Sequence, residues 1–237
     1  MPERLYFRQL LSGRDFAAQD AVAGQMVNFS YAIGDRVTGE AVLVDPAYAV
    51  AELVDLVEAD GFRLVGALGT HHHADHVGGG FMGYEVQGIS ELLALRSVPV
   101  HVHRAEAEFV GKTTGVAPSD LVSHDAGDAI RVGAFDLRVI HTPGHTPGSQ
   151  CFLVDGRLVA GDTLFLEGCG RTDLPGADSD AMYESLTQRL AKVPDDTVLY
   201  PGHLYSPEPS ASMGETRRRN YVFRVKSLEQ WRMFMAG

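Results

Sequence analysis

Four histidines and an aspartate lie within residues 71–76, in the stretch Thr-His-His-His-Ala-Asp-His that begins at Thr70. Neutral imidazole nitrogens and carboxylate oxygens are the preferred ligands of zinc and similar divalent metals. The stretch follows an apolar run, residues 64–68, that is typical of a buried strand. A lone His-x-His would fit an exposed polar loop, but this density of ligand-type side chains indicates a metal site.

Three more ligand-type residues follow apolar runs further along the chain. His145 comes after residues 135–140, in the turn His-Thr-Pro-Gly-His. Asp162 and His203 come after apolar runs that end at residues 160 and 200. Loops at strand ends are held rigidly by the sheet and commonly carry catalytic side chains. We therefore expect these residues to converge on the cluster at residues 71–76.

The elements that must position these residues alternate between strand and helix, which predicts an α/β fold. Residues 50–59 carry apolar side chains at helical spacing. Two tight turns, at residues 133–134 and 155–156, predict β-hairpins. The predicted strands are residues 5–11, 26–33, 40–44, 63–68, 98–103, 130–132, 135–140, 151–154, 157–160 and 197–200, and a further helix is predicted at 179–191.

Length and composition fit one domain spanning residues 1–237, because 45% hydrophobic residues can fill a two-layer core. A possible insertion lies at about residues 81–120. Its helix-like part, near residues 89–93, would lie either near the mouth of the site or on the outer layer. The net charge of −11 argues against nucleic acid or an anionic membrane as a partner.

Two cysteines, Cys151 and Cys169, are too few for a disulfide framework, so we expect reduced thiols and a cytoplasmic location. We expect Cys169 to serve small-residue packing. The N-terminus lacks the pattern of a signal peptide or a membrane span. A second His-x-His, His101 and His103, lacks a following Asp-His, and we interpret it as ordinary strand filling.

The ligand motifs resemble those of the metallo-β-lactamase superfamily, in that family's order and across nearly the whole chain. The resemblance implies an αββα sandwich of two mixed β-sheets flanked by helices, with the metal site at one edge. It also implies two divalent metal ions, zinc in the first instance, with iron or manganese as alternatives. The implied ligands are His71, His73 and His145 for one ion, Asp75, His76 and His203 for the other, and Asp162 between them.

Within this superfamily the chain resembles glyoxalase II-type hydrolases, which implies cleavage of a small thiol's thioester by a metal-bound hydroxide. Asp75 and Asp162 are then the candidate catalytic residues. Arg171 and Tyr205 fall where such enzymes contact the glutathione part of the substrate. Arg171 has an alternative role, an ion pair with Asp173 in its own loop.

The resemblance also extends to persulfide dioxygenases, which bind one iron through the equivalents of His71, His145 and Asp162. Two histidines and one carboxylate suit non-haem Fe(II) and oxygen. The Gly-Cys-Gly-Arg-Thr-Asp run at residues 168–173 favours this alternative, whereas the stretch at residues 70–79 favours the hydrolase. In both cases the predicted partner is a small-molecule substrate, a thiol conjugate. Nothing in the sequence indicates an oligomeric state.

Overall fold

Two mixed six-stranded sheets lie face to face in the computed structural model, which describes residues 3–81 and 83–235. A separate two-stranded hairpin lies beside them. The strands are β1 (Leu5–Leu11), β2 (Phe29–Asp35), β3 (Glu40–Val44), β4 (Arg63–Leu68), β5 (Gly79–Phe81), β6 (Tyr84–Val86), β7 (Val100–His103), β8 (Leu121–His124), β9 (Ala129–Val132), β10 (Phe135–His141), β11 (Gln150–Val154), β12 (Arg157–Gly161), β13 (Val198–Pro201) and β14 (Ala211–Ser212).

Short helices cover the outer faces of both sheets. A π-helical segment and a 3-10 turn extend the helix after Asp162, and two further 3-10 turns lie elsewhere. The α-helices are α1 (Ala21–Met26), α2 (Val50–Ala59), α3 (Ala74–Val77), α4 (Ile89–Leu95), α5 (Ala107–Thr114), α6 (Ser179–Glu184), α7 (Met213–Arg219) and α8 (Leu228–Met235).

The first sheet has the strand order β1-β2-β3-β4-β7-β8, and the second has β14-β13-β12-β11-β10-β9. In the first sheet β3, β4, β7 and β8 run parallel to one another, because helices connect them, whereas β1 and β2 pair antiparallel and β2 pairs antiparallel with β3. The second sheet is antiparallel except where β12 pairs with β13. Both sheets are therefore mixed, as predicted.

Three apolar clusters hold the layers together. The middle cluster joins the facing sheets, for example Ile33 and Leu68 of the first with Val139 and Phe152 of the second. One outer cluster packs α2 and α4 on the first sheet, and the other packs α6 and α8, including the fully buried Trp231, on the second. This layering is the predicted αββα sandwich, which is confirmed.

Two predicted elements differ from the structure. Residues 26–33 do not form one strand, because α1 ends at Met26 and β2 begins only at Phe29. Between them Val27 adopts a left-handed φ of 49°, which breaks any extended run. The predicted helix at 179–191 is regular only to Glu184 and continues as the π-helical segment Ser185–Arg189.

The stretch at residues 81–120 supplies β7 to the first sheet and α4 to its outer layer. Ile89 and Leu92 of α4 are buried against α2, so this helix packs on the outer layer and does not line the site. That the stretch is an insertion stays a prediction. None of the helices in the described ranges is both long and apolar enough to span a bilayer.

The second His-x-His serves the first sheet. His101 lies within hydrogen-bond distance of His124 on the neighbouring strand β8, and His103 stacks on His141 with ring centroids 3.8 Å apart. Neither belongs to the main histidine cluster, in agreement with strand filling. Cys151 and Cys169 are both free thiols, and Cys151 is fully buried.

Candidate metal centre

One edge of the sandwich carries all seven predicted ligands, each in a segment that follows a strand, with Asp75 and His76 in the short helix α3. Residues 71–76 follow β4 of the first sheet. The loops after β10, β12 and β13 of the second sheet supply the rest. These strand ends open toward one another, so the structure brings the following side chains together: His71, His73, Asp75, His76, His145, Asp162 and His203.

His71, His73 and His145 form one group, called here the first trio. Their ligand atoms all lie within 4.8 Å of one another. His145 Nε2 is 2.9 Å from His73 Nδ1, and the His71 ring packs edge-on against both others. The first trio offers only imidazole nitrogens as ligand atoms.

Asp75, His76 and His203 form the second trio. The two histidine Nε2 atoms are 3.2 Å apart, and Asp75 Oδ2 lies 3.6 Å from His76 Nε2 and 3.5 Å from His203 Nε2. Tetrahedral zinc with bonds of about 2.0–2.1 Å places its ligand atoms roughly 3.4 Å apart. The spacing of the second trio therefore fits a zinc-sized ion.

Asp162 lies between the two trios and contacts both. Its Oδ2 is 3.6 Å from His145 Nε2 in the first trio and 3.4 Å from His203 Nε2 in the second. Its Oδ1 is 3.4 Å from His76 Nε2. One carboxylate can thus serve two neighbouring cations.

Backbone and side-chain acceptors fix the tautomers of the histidines. Nδ1 of His145 donates to the Arg171 carbonyl, and Nδ1 of His203 donates to the Met26 carbonyl, both at 2.8 Å. Nδ1 of His76 donates to Asp45 Oδ2 at 2.9 Å. In the neutral form of each ring the lone pair is therefore on Nε2, which faces the cluster, as in metal-binding histidines.

Two buried polar atoms in the cluster, His71 Nε2 and Asp162 Oδ1, have no hydrogen-bond partner among the described residues. A buried polar group without a partner is costly unless an ion or water satisfies it. Converging nitrogen lone pairs, carboxylates and these two atoms together fit divalent metal ions.

The pKa shifts of the histidines differ between the trios. Burial, together with the neighbouring histidines, lowers the pKa of His71 well below its usual value and that of His73 to about 4. Burial opposes charge on His76 as well, yet the carboxylates of Asp75 and Asp162 raise its pKa to about 10. The negative charges of these carboxylates therefore favour a positive charge at the second trio.

Asp45 and Glu106 support the cluster, although the sequence analysis did not select them. Both oxygens of buried Asp45 are engaged, by the backbone and hydroxyl of Thr70 and by His76. Glu106 accepts from His72 and from the backbone N–H of Gly148, so it ties the loop after β4 to the loop of His145. Asp45 follows β3 directly, a position that could have indicated it. Glu106 had no comparable signal.

Two glycines keep the ligand loops close together. A Cβ on Gly202 would lie 2.3 Å from Asp162 Oδ1 and 3.0 Å from the His76 ring. Gly144 has φ +147°, and a Cβ there would lie 2.5 Å from Met182. Glycine is therefore required at both positions.

A cavity of about 870 Å³ opens onto the cluster, and its walls outside the ligands are mostly apolar and aromatic. Tyr205 stacks on the His203 ring, with centroids 4.7 Å apart, and lines this cavity. Arg171 also lines it, but its guanidinium makes two hydrogen bonds to Asp173, at 2.7 and 2.6 Å. The alternative role considered for Arg171 is thus present in the structure.

The sequence profile of the metallo-β-lactamase superfamily matches residues 23–203, which contain the entire cluster. The chain belongs to this superfamily. The superfamily is one of metal-dependent enzymes, and the His/Asp clusters of this chain support the use of divalent metal ions. The metallo-β-lactamase resemblance seen in the motifs is therefore confirmed.

Relatives with different activities are similar to this chain. Hydroxyacylglutathione hydrolase of Rhodopseudomonas palustris is 40% identical over 182 residues, covering 76% of this chain and 63% of that protein. The human mitochondrial persulfide dioxygenase ETHE1 is 34% identical over 196 residues, covering 81% and 70%. The crystal structure of ETHE1 from Myxococcus xanthus superposes with a TM-score of 0.80 at 30% identity, covering 98% of this chain and 90% of that one.

Proposed function

We propose that this protein is a metal-dependent hydrolase that cleaves the thioester of a small thiol. The observation that carries the proposal is the pair of complete trios joined by Asp162. Divalent ions held there would lower the pKa of a water molecule and polarise the thioester carbonyl. Zinc fits the nitrogen-rich first trio, and iron or manganese are the alternatives.

The chain's own residues then have distinct roles. Asp162 holds the two positions close together. Asp75 lines the cavity, so its carboxylate is placed to take a proton from the attacking water and to pass it to the departing thiolate. No serine or cysteine nucleophile is needed.

Arg171 and Tyr205 are proposed to bind the thiol part of the substrate, because both line the cavity beside the trios. For Arg171 this requires its guanidinium to exchange Asp173 for a substrate carboxylate. The pair is exposed, with side-chain exposures of 63% and 66%, so the exchange costs little. The similarity to hydroxyacylglutathione hydrolase supports a thiol conjugate as the substrate.

Persulfide dioxygenase is the second candidate function. The two unpartnered buried atoms, His71 Nε2 and Asp162 Oδ1, both belong to the triad His71, His145 and Asp162. That triad alone suits a single iron. The similarity to two ETHE1 proteins supports this candidate as well.

Two measurements on the purified protein separate the candidates. The first is its metal content after purification without added metal, where two ions per chain support the hydrolase and one iron supports the oxygenase. The second is turnover of an S-acyl glutathione and, separately, of glutathione persulfide while oxygen is followed. Thioester cleavage without oxygen uptake supports our proposal, and oxygen uptake with the persulfide alone contradicts it.

We also propose a cytoplasmic enzyme whose partner is this small substrate, with no nucleic-acid or membrane partner. The net charge of −11 supports the proposal, since phosphate-rich partners require clustered basic residues.

A further inference from the structure

The side chain of Asn28 contacts every member of the second trio. Its Nδ2 donates to Asp75 Oδ2 at 3.1 Å and lies 3.3 Å from His76 Nε2 and 3.4 Å from His203 Nε2. Asn28 is 2% exposed, so bulk water does not compete for these contacts. No comparable amide lies against the first trio among the hydrogen bonds of the described residues.

Tyr48 fixes which way this amide faces. Its buried hydroxyl donates to Asn28 Oδ1 at 2.9 Å. An amide can turn over and exchange its nitrogen and oxygen with almost no change of shape. A hydroxyl donor on the oxygen side therefore selects the orientation in which the NH₂ group faces Asp75.

Several backbone positions next to Asn28 and Tyr48 have an unfavourable conformation. Five non-glycine residues in the described ranges have a left-handed φ, and three belong to or adjoin this network: Val27 (49°), Asp45 (50°) and Tyr48 (69°). A β-branched residue such as valine is rarely found there. Such strain persists where the surrounding structure enforces it, typically at functional sites.

Val27 also links Asn28 to a ligand loop. The amide of Leu204 donates to the Val27 carbonyl at 3.0 Å, and Asn28 forms an isolated β-bridge with His203. Asn28 is therefore tied to the second trio through both its backbone and its side chain.

We propose that Asn28, oriented by Tyr48, is the positioning residue that sets the affinity of the second trio for its metal ion. The amide holds Asp75 Oδ2 between His76 and His203, so that the three donor atoms are already spaced for an ion. Without the amide, this hydrogen bond no longer restrains the Asp75 carboxylate. The inference rests on the two-ion centre of the proposed function and adds a residue outside the seven ligands.

The test is a zinc titration of the metal-free protein against a competing chelator, which measures the affinity of each position. Loss of a residue that supports a metal ligand weakens binding by roughly 10- to 100-fold. We expect Asn28→Ala to show this loss at the second position and an unchanged affinity at the first. Tyr48→Phe should weaken the same position by a smaller factor.

Tyr6→Phe is the matched control, because Tyr6 is an equally buried tyrosine whose hydroxyl donates to a carboxylate, Asp60, away from the cluster. It should leave both affinities unchanged. The double variant Asn28→Ala/Tyr48→Phe should bind zinc no more weakly than Asn28→Ala alone, since Tyr48 acts through Asn28. If the losses of affinity in the two single variants multiply in the double variant, Tyr48 does not act through Asn28.

Unchanged affinities in Asn28→Ala, or an equal loss at both positions, would overturn the inference while leaving the proposed function intact. Wild-type protein that takes up a single zinc ion at saturation would contradict the two-ion function itself, and the inference with it.

Discussion

The two trios differ in what surrounds them more than in how they are spaced. The first trio consists of three imidazoles, and its rings are oriented by a threonine hydroxyl and a backbone carbonyl. The second trio includes a carboxylate and is surrounded by Asp45, Asn28 and Asp162. Affinity at the first position should therefore depend mainly on the ligands themselves. At the second position it should depend strongly on residues that do not touch the ion.

Asp162→Asn is expected to have the largest effect, because it removes the carboxylate that lies between the trios, within 3.6 Å of a histidine of each. A neutral amide stabilises two cations poorly, and metal assistance contributes several kcal/mol to such reactions. Turnover should fall by on the order of a thousandfold or more, with metal content reduced and the circular dichroism spectrum unchanged. Near wild-type turnover with full metal content would exclude the two-ion mechanism.

His73→Ala and His203→Ala should separate the two positions. Each variant removes one ligand from one trio, so each should lose one ion and keep the other. Affinity at the affected position should fall by more than about a hundredfold, which exceeds the effect of removing a residue that only supports a ligand. Metal analysis of both proteins checks this expectation. Loss of both ions in either variant would mean that the positions bind as a unit.

Asp45→Asn should affect both positions moderately. Asp45 accepts from His76 and from Thr70, whose hydroxyl in turn contacts His71. Affinity at the second position, where the contact is direct, should fall by roughly 10- to 100-fold, and affinity at the first position should fall by a smaller factor. The same chelator competition measures it. A loss of affinity confined to the first position would contradict the view that the second position depends more on supporting residues.

Asp35→Asn should leave metal binding unchanged, although Asp35 is as deeply buried as Asp45. Hydrogen bonds from Arg4 hold the pKa of Asp35 well below its ordinary 3.8, so the charged form stabilises the fold. This stabilisation is complete above the unfolded-state pKa and is lost as the pH falls below it.

Urea unfolding at pH 7 should show the Asp35→Asn variant less stable than wild type. The difference should shrink as the pH falls below about 4, where the carboxylate in the unfolded chain takes up a proton. Reduced zinc affinity in this variant would show that Asp35 also serves the site.

The sequence could predict the ligands because each is a metal-type side chain in a segment that follows an apolar strand. The alternation of strands and helices could predict an α/β fold, whereas the sandwich was implied by the resemblance of the ligand motifs to those of the metallo-β-lactamase superfamily. The supporting residues were missed because their roles arise from tertiary contacts: Asn28 and Asp75 are 47 positions apart, and His72 and Glu106 are 34 apart. Val27 was placed in a strand because propensity favours that state, whereas the site requires a left-handed turn there.

The two sheets contribute different parts of the metal centre. The first sheet supplies His71, His73, Asp75 and His76, and the second supplies His145, Asp162 and His203. Bound ions therefore act as cross-links between the layers, in addition to any chemistry they support. An ion at a hundredfold excess over its Kd adds about 2.7 kcal/mol to the stability of the state that binds it. The cohesion of the two sheets should therefore rise with metal supply, beyond what the middle apolar cluster alone provides.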